Sequence, residues 1–391
     1  MKHNWEYKKL GEVCEVLNGY AFKSSNYIED NGLRIIRITN VQDGEIIDDD
    51  PKFYPLDQIE ELSKYILKKD DLLISLTGNV GRVGLISKSL LPAALNQRVA
   101  CLRSTTYIPR FLFWYFRRSA FQDDCIKSAK GVAQLNMSTE WLKEYYLPIL
   151  NAEMQERIVA ELDKINEVIE ECRELLRTLD SLAQSIFYDT FGDPISNPKG
   201  WEKVTLNEVC NKITDGTHNS PKNEPKGDYM YVTAKNIKKS GIVLDDITYI
   251  DKDTHRMIYN RCNPEFGDVL YIKDGVTTGI ATINQLHEEF SLLSSVALLK
   301  PSERINNQYL KSVLNTPSLY NSFRKNMGGA AITRLTISKI QKSSIPVPPL
   351  SLQQQFAAQI EAIEAQKNAV EATISELKTL LDSRMDYWFN E

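Results

Sequence analysis

Between Ile158 and Ile186 apolar side chains recur in alternating steps of four and three: Ile158, Leu162, Ile165, Ile169, Cys172, Leu176, Leu179, Ala183 and Ile186. That spacing is the seam of a heptad helix, sustained over four repeats, and it predicts a coiled-coil helix over residues 151–191. The seam returns 198 residues later as Phe356, Ile360, Ile363, Val370, Ile374, Leu377 and Leu381, broken by Lys367 and Arg384. Residues 351–391 are therefore a second helix of the same kind. In the first, Val168, Leu175 and Leu182 add a row one position ahead of the seam, so its apolar face is wider than one partner helix needs. A helix of about 40 residues rises ~60 Å. Neither helix can bury such a seam on its own globular half, so each needs the other. A pseudo-twofold axis across the seam would make them antiparallel, with a globular part at each end.

Ahead of each helix the period changes. In the first half "LRIIRIT" (33–39), "DLLISL" (71–76) and "RVACL" (98–102) read as strands, and "YMYVTA", "DVLYIK" and "SVALL" take their places in the second. A helical stretch follows from Pro109 or Asn306, then a Gly-bearing loop and a proline-ended run, "YLPIL" or "IPVPPL". Strands grouped before helices indicate an α+β fold. The order is a duplication. Trp5, Val13, Cys14 and Asn40 recur 196 residues on as Trp201, Val209, Cys210 and Asn236. "DLLISLTG" recurs at 197 as "DVLYIKDG", and Gly131, Pro148 and Gln155 recur at 198 as Gly329, Pro346 and Gln353. The expected plan is a globular domain at 1–150, a helix at 151–191, a linker at 192–200, a second domain at 201–350 and a second helix at 351–391. "FGDPISNPKG", rich in Gly, Pro and Asn, returns the chain to its second half.

Composition changes this picture little, and charge changes it more. With 42% apolar and 25% charged residues the chain is an ordinary globular one. It has no apolar run of the roughly 18 residues a membrane span needs and no signal-like N-terminal stretch, so a cytoplasmic location is expected. The net charge of −5 is uneven: residues 151–191 hold 10 acidic and 4 basic side chains, and residues 351–391 hold 7 and 3. The remainder is mildly basic, which permits phosphate binding. The six cysteines lie far apart with no CxxC, and Cys14 and Cys210 sit at equivalent apolar positions, so they read as buried thiols. With the four histidines they make no metal-ligand spacing, and no metal is expected.

Catalytic signatures are missing. "GNVGRVG" (Gly78 to Gly84) lacks the following helix that a dinucleotide loop requires and is read as a strand–turn–strand hairpin. "NPEF" (Asn263 to Phe266) approaches the Asn-Pro-Pro-aromatic loop of amino-methyltransferases, but no cofactor-binding glycine motif accompanies it, and a turn before a strand is the preferred reading. There is no GxxxxGK[ST]. The aromatic run "FLFWYF" at 111–116 keeps its apolar register, but not its aromatic identity, in the second half, and so reads as a core helix.

"IPVPPLSLQQQFAAQI" (Ile345 to Ile360) and its twin "YLPILNAEMQERIVAEL" (Tyr146 to Leu162) resemble the entry into the spacer helices of type I restriction-modification specificity subunits. The order domain, helix, domain, helix is similar to that family along the whole chain. The first half has Pro148 alone where the second has Pro346, Pro348 and Pro349, which makes its junction less diagnostic. The resemblance implies two target-recognition domains that read an asymmetric, bipartite double-stranded DNA, with the helices setting the unread spacing. It implies no catalytic activity and no cofactor in this chain. The partners would be two modification (methyltransferase) subunits using S-adenosylmethionine, and restriction (translocase-nuclease) subunits using ATP and Mg. A coiled-coil scaffold with two partner-binding heads is the alternative from another class.

Base edges need donors and acceptors, so polar loop residues are the DNA-contact candidates. In the first half these are Arg37 and Asn40 after the first strand, Asn79 and Arg82 in the glycine turn, and Lys130 and Gln134 in the later loop. In the second they are Lys235 and Asn236, then Lys273, Thr277 and Thr278, then Thr333 and Arg334.

Overall fold

Leu72, Leu73, Ile74 and Ser75 are all buried, and their alternating side chains enter two different cores. Leu72 and Ile74 join one, with Ala100 and Leu102; Leu73 joins the other, with Val99 and Cys101. A strand covered on both faces needs apolar residues in succession, which is why the sequence shows an unbroken run here. Val269–Ile272 repeats the arrangement, with Val269 and Tyr271 on one side and Leu270 and Ile272 on the other.

The computed structural model describes residues 5–129, 135–325 and 335–389. The chain divides into two units, Met1–Arg173 with Glu371–Glu391, and Glu174–Val370. The first unit holds an antiparallel sheet ordered Glu15–Asn18, Val99–Arg103, Leu72–Ser75, Val83–Leu85. A second sheet is ordered Phe53–Tyr54, Leu33–Ile36, Ala93–Leu95, its last pair parallel. Tyr7–Lys9 pairs with Tyr146–Pro148. The second unit repeats all three. Its first sheet runs Cys210–Asp215, Val296–Pro301, Val269–Ile272, Ala281–Ile283, and its second Thr248–Ile250, Tyr229–Val232, Phe290–Leu292. Lys203–Thr205 pairs with Ser344–Pro346.

Local chemistry corrects two expected elements and adds one. The strand expected over 33–39 stops at Ile36, because the Asn40 side chain accepts the Arg37 N–H (2.8 Å) and closes a 3-10 turn, Ile38–Asn40. The helical stretch from Pro109 is two helices, Pro109–Phe116 and Ser119–Ser128, separated by an extended Arg118. The helix Lys252–Tyr259 was not legible in the pattern; Asp251 starts it by accepting the N–H groups of Asp253 and Thr254. As expected, "FLFWYF" is core: Phe111 to Phe116 are all buried.

Ala152–Phe191 and Leu350–Phe389 are single helices. Within the first unit Glu161 takes Arg384 and the Trp388 indole N–H (3.1 Å), while Arg157 faces the Trp388 ring at 5.6 Å. Within the second, Lys367 meets Asp180 at 2.7 Å, and the Phe187 and Phe191 rings lie 5.8 and 5.1 Å from that of Phe356. In each unit one helix rises in number as the other falls, so the pairing is antiparallel. Ile158, Leu162, Ile169, Leu179, Phe356, Ile360, Ile363 and Leu381 are buried, and Ile165, Leu176, Ile186, Val370, Ile374 and Leu377 half-buried. The two charged interruptions of the seam, Lys367 and Arg384, each find a carboxylate on the other helix. The connection between the halves is ordered by Trp201, whose indole N–H donates to the Phe191 carbonyl (3.0 Å), and by Asn197, whose amide brackets the Trp201 backbone. Among the described residues no helix is long and apolar enough to cross a membrane.

Candidate nucleic-acid interface

In each unit the glycine turn lies between two strands of the larger sheet, so it is a hairpin and not a phosphate loop. Its conformation needs glycine. Gly81 and Gly279 have φ of 81° and 108°, and a Cβ on them would meet the Cys125 thiol at 2.9 Å or the Tyr320 ring at 2.2 Å. The turn is thereby pressed against the second helix of the pair that follows the strands, Ser119–Ser128 in one unit and Pro317–Lys325 in the other. Hydrogen bonds inside the turn tighten it further: Ser75 Oγ donates to the Asn79 carbonyl (2.5 Å) in the first unit, and Thr278 Oγ1 to the Gly275 carbonyl (2.6 Å) in the second.

Other segments gather around this turn. In the first unit Gly78 N–H donates to the Leu135 carbonyl (3.0 Å) and Met137 N–H to the Leu76 carbonyl (2.8 Å), which brings in the end of the Gly-bearing loop. Arg82 Nη1 donates to Gln42 Oε1 (2.7 Å), which ties in the segment after the first strand. In the second unit Leu335 N–H donates to the Lys273 carbonyl (2.9 Å), and Lys273 Nζ lies 3.4 Å from Asp215, at the start of the loop "DGTHNSPKNEPKG". That loop begins, in both units, where the backbone passes so close to a neighbouring strand that only glycine fits. A Cβ on Gly19 would lie 2.1 Å from the Asn96 carbonyl oxygen, and one on Gly216 would lie 1.8 Å from that of Leu292.

The candidate residues fall into three groups. Asn79, Thr277 and Lys235 are exposed. Among the described residues the Asn79 side-chain amide has no hydrogen-bond partner. A second group is engaged within the fold. Asn40 is buried and donates to the Ile47 carbonyl (2.8 Å) and Asp48 (3.0 Å); Asn236 is buried and donates to the Val243 carbonyl (3.3 Å) while accepting the Thr233 N–H (3.0 Å). These two asparagines brace equivalent turns. Arg37 donates to the Asp50 carbonyl (2.6 Å), and Lys52 together with Arg37 holds the Asp50 carboxyl below the usual carboxylate range. Lys273, buried, sits between Asp215 (3.4 Å) and Asp274 (3.0 Å), so its charge is matched inside the unit. Thr278 is buried, and Arg82 is half-buried on Gln42. The third group, Lys130, Gln134, Thr333 and Arg334, lies outside the described residues, as do Gly131 and Gly329.

The pattern also gave no sign of two features that differ between the units. In the first, exposed Tyr20 caps an aromatic cluster with half-buried Phe22 and Tyr65 and buried Tyr54, ring centroids 5.0–5.3 Å apart. In the second, Thr217, His218, Asn219, Pro221 and Lys222 line a cleft of about 570 Å³ together with the helix Lys252–Tyr259. Val276, at the tip of the second glycine turn, is 93% exposed. Sliding the sequence by 197 would have drawn attention to it, since that shift places it on Asn79.

The thiols offer no chemistry here. Burial pushes Cys14 up to about 11 and Cys210 up to about 12, so both stay protonated at neutral pH. Among the described residues no group of His, Cys, Asp and Glu side chains could hold a metal ion.

Residues 2–178 and 198–379 each match the type I restriction modification DNA specificity domain, and the chain belongs to that family, with two copies of the domain. The specificity subunit of the type I restriction enzyme EcoAI of Escherichia coli is 30% identical over 183 residues, 46% of this chain and 31% of that protein. That of MjaVIII from Methanocaldococcus jannaschii is 29% identical over 43% of this chain, and this match spans 40% of its length. The chain thus matches only 31% and 40% of the length of these two relatives. The specificity subunit of EcoBI from Escherichia coli is 20% identical over 95% of this chain and 82% of that one. Two solved structures share the fold. One is the type I restriction-modification S subunit from M. genitalium, with a TM-score of 0.54, 15% identity and coverage of 99% and 96%. The other is a chain solved in work on assembly and conformational transition of the type I R-M system, with a TM-score of 0.58, 20% identity and coverage of 98% and 97%.

Proposed function

We propose that this chain is the DNA-specificity subunit of a type I restriction-modification complex, with no catalysis of its own. In this reading each globular domain takes one part of an asymmetric, bipartite double-stranded target, and the paired helices set the unread distance between the parts. One observation carries it: the same strand order occurs twice with a tight glycine turn at the same place, one residue longer in the second unit, while the loops around the turn carry non-equivalent side chains. A frame kept constant under two different surfaces suits a molecule that reads two different sequences, because base edges are distinguished by the pattern of donors, acceptors and methyl groups.

Chemistry on the DNA then belongs to partners: two modification subunits carrying S-adenosylmethionine, and restriction subunits using ATP and Mg. Leu175 and Leu182, the outer apolar row of the first helix, are 45% and 46% exposed, and they supply apolar surface for docking a modification subunit. Deleting the gene from its host should erase one bipartite adenine-methylation motif from the genome, read by methylation-sensitive sequencing. A methylome unchanged in a strain whose other methylation is intact would refute the proposal.

A further inference from the structure

Both glycine turns hold an exposed side chain directly after their first glycine, Asn79 and Val276 (Thr277 beside the latter is exposed as well), and the two side chains differ in kind. Asn79 offers an amide with no hydrogen-bond partner among the described residues; Val276, its equivalent at an offset of 197, offers a bare isopropyl group. At 93% exposed, Val276 stands well above Met257, at 71% the next large apolar side chain among the described residues. A single exposed apolar residue is ordinary on a protein surface. The backbone around this one is not ordinary. Gly275 and Gly279 hold positive φ on either side, Thr278 Oγ1 closes the turn on the Gly275 carbonyl, and Tyr320 packs against Gly279. The tip is therefore held out before any partner arrives, and ordering it on binding costs little conformational entropy. Arg324 stacks on Tyr320 at 5.3 Å and is exposed, which puts a cation suited to a phosphate beside the turn.

We propose that the tip residue of each glycine turn determines specificity, Val276 by contact with the C5-methyl group of a thymine and Asn79 by pairing with the N6 and N7 edge of an adenine. The inference rests on the reading of the chain as a DNA-specificity subunit. Thymine is the one base whose major-groove edge carries an apolar group, and an isopropyl side chain has nothing to offer the other three. An amide matches the adjacent donor and acceptor of adenine in a bidentate pair.

The test uses the full chain assembled with its modification subunits and the duplex that this complex methylates. Thymines on either strand of the part read through residues 201–350, identified by exchange of the other domain, are replaced one at a time by deoxyuridine, which lacks only the methyl group. One replacement should weaken binding roughly three- to fivefold, the effect of burying a single methyl. Val276→Ala should already bind the natural duplex more weakly and should be insensitive to that replacement, with its melting temperature unchanged. Val276→Asn should shift preference at the same position from thymine towards adenine. If no thymine responds, or if Val276→Ala responds as the parent does, the tip contact is wrong, although the complex still methylates its own motif. A complex with no sequence preference at all would overturn both this inference and the reading beneath it.

Discussion

The two units solve the same structural problems with partly different residues. At the entry to each long helix a buried glutamine clamps the preceding backbone. Gln155 accepts the Ile108 N–H (2.8 Å) and donates to the Leu150 carbonyl (3.0 Å); Gln353 accepts the Asn306 N–H (2.8 Å) and donates to the Pro348 carbonyl (2.7 Å). Here the residue itself is retained. At the start of the central strand the role is retained but the partner changes, from a two-pronged Asp71–Arg103 pair to Asp268 with Lys300 at 2.8 Å. The carbonyls of Pro148 and Pro346 go further, since each receives a phenol from a non-equivalent position, Tyr107 in one unit and Tyr309 in the other, whose counterparts Ile305 and Phe111 carry no hydroxyl. A buried carbonyl must be satisfied, but physics does not prescribe which donor reaches it. The loops around the glycine turn have no such obligation. There the first unit folds an aromatic cluster and the second opens a cleft of mixed polar and apolar lining.

The largest test of this contrast is to exchange residues 1–150 for those of a relative with a different target. One part of the methylated motif should be replaced and the other kept, as read by sequencing the methylome. Both parts changing together would mean that the units do not read independently. Next in size is the clamp. Gln155→Ala and Gln353→Ala should each lower stability by about 2–3 kcal/mol, because a buried N–H and a buried carbonyl lose their partner. Denaturant titration should find the two losses alike, and a large inequality would break the equivalence of the helix entries. A smaller effect separates the seams. Lys367 occupies the position that Ile169 fills in the other helix, and its partner Asp180 is largely exposed. Lys367→Ile should therefore be neutral or stabilise the chain by up to about 1 kcal/mol, since Asp180 stays solvated when its partner is removed. A clear loss would show that this ion pair, and not apolar contact, holds the second unit's helices. The smallest effect concerns the thiols. Cys14, Cys101, Cys125, Cys210 and Cys262 are buried and Cys172 alone is half-exposed, so native labelling with a thiol reagent should modify Cys172 first. Rapid labelling of Cys14 or Cys210 would show that the equivalent thiols lie outside their cores.

What the sequence determined by itself was periodic or repeated. The heptad steps from Ile158 and from Phe356 specified two long helices, because an apolar seam of that length has to be buried. The runs "DLLISL" and "DVLYIK" specified central strands, and the offset of 196 to 198 residues specified that the plan is used twice. Polar residues were different. Asn40, Asn236 and Lys273 looked like surface contacts, yet their hydrogen bonds and charges are met inside the fold; Val276, which no pattern singled out, stands in solvent. Whether a polar group faces water depends on partners distant along the chain, such as Asp215 for Lys273. A period records which face of an element is apolar. Only the tertiary structure decides what each face meets.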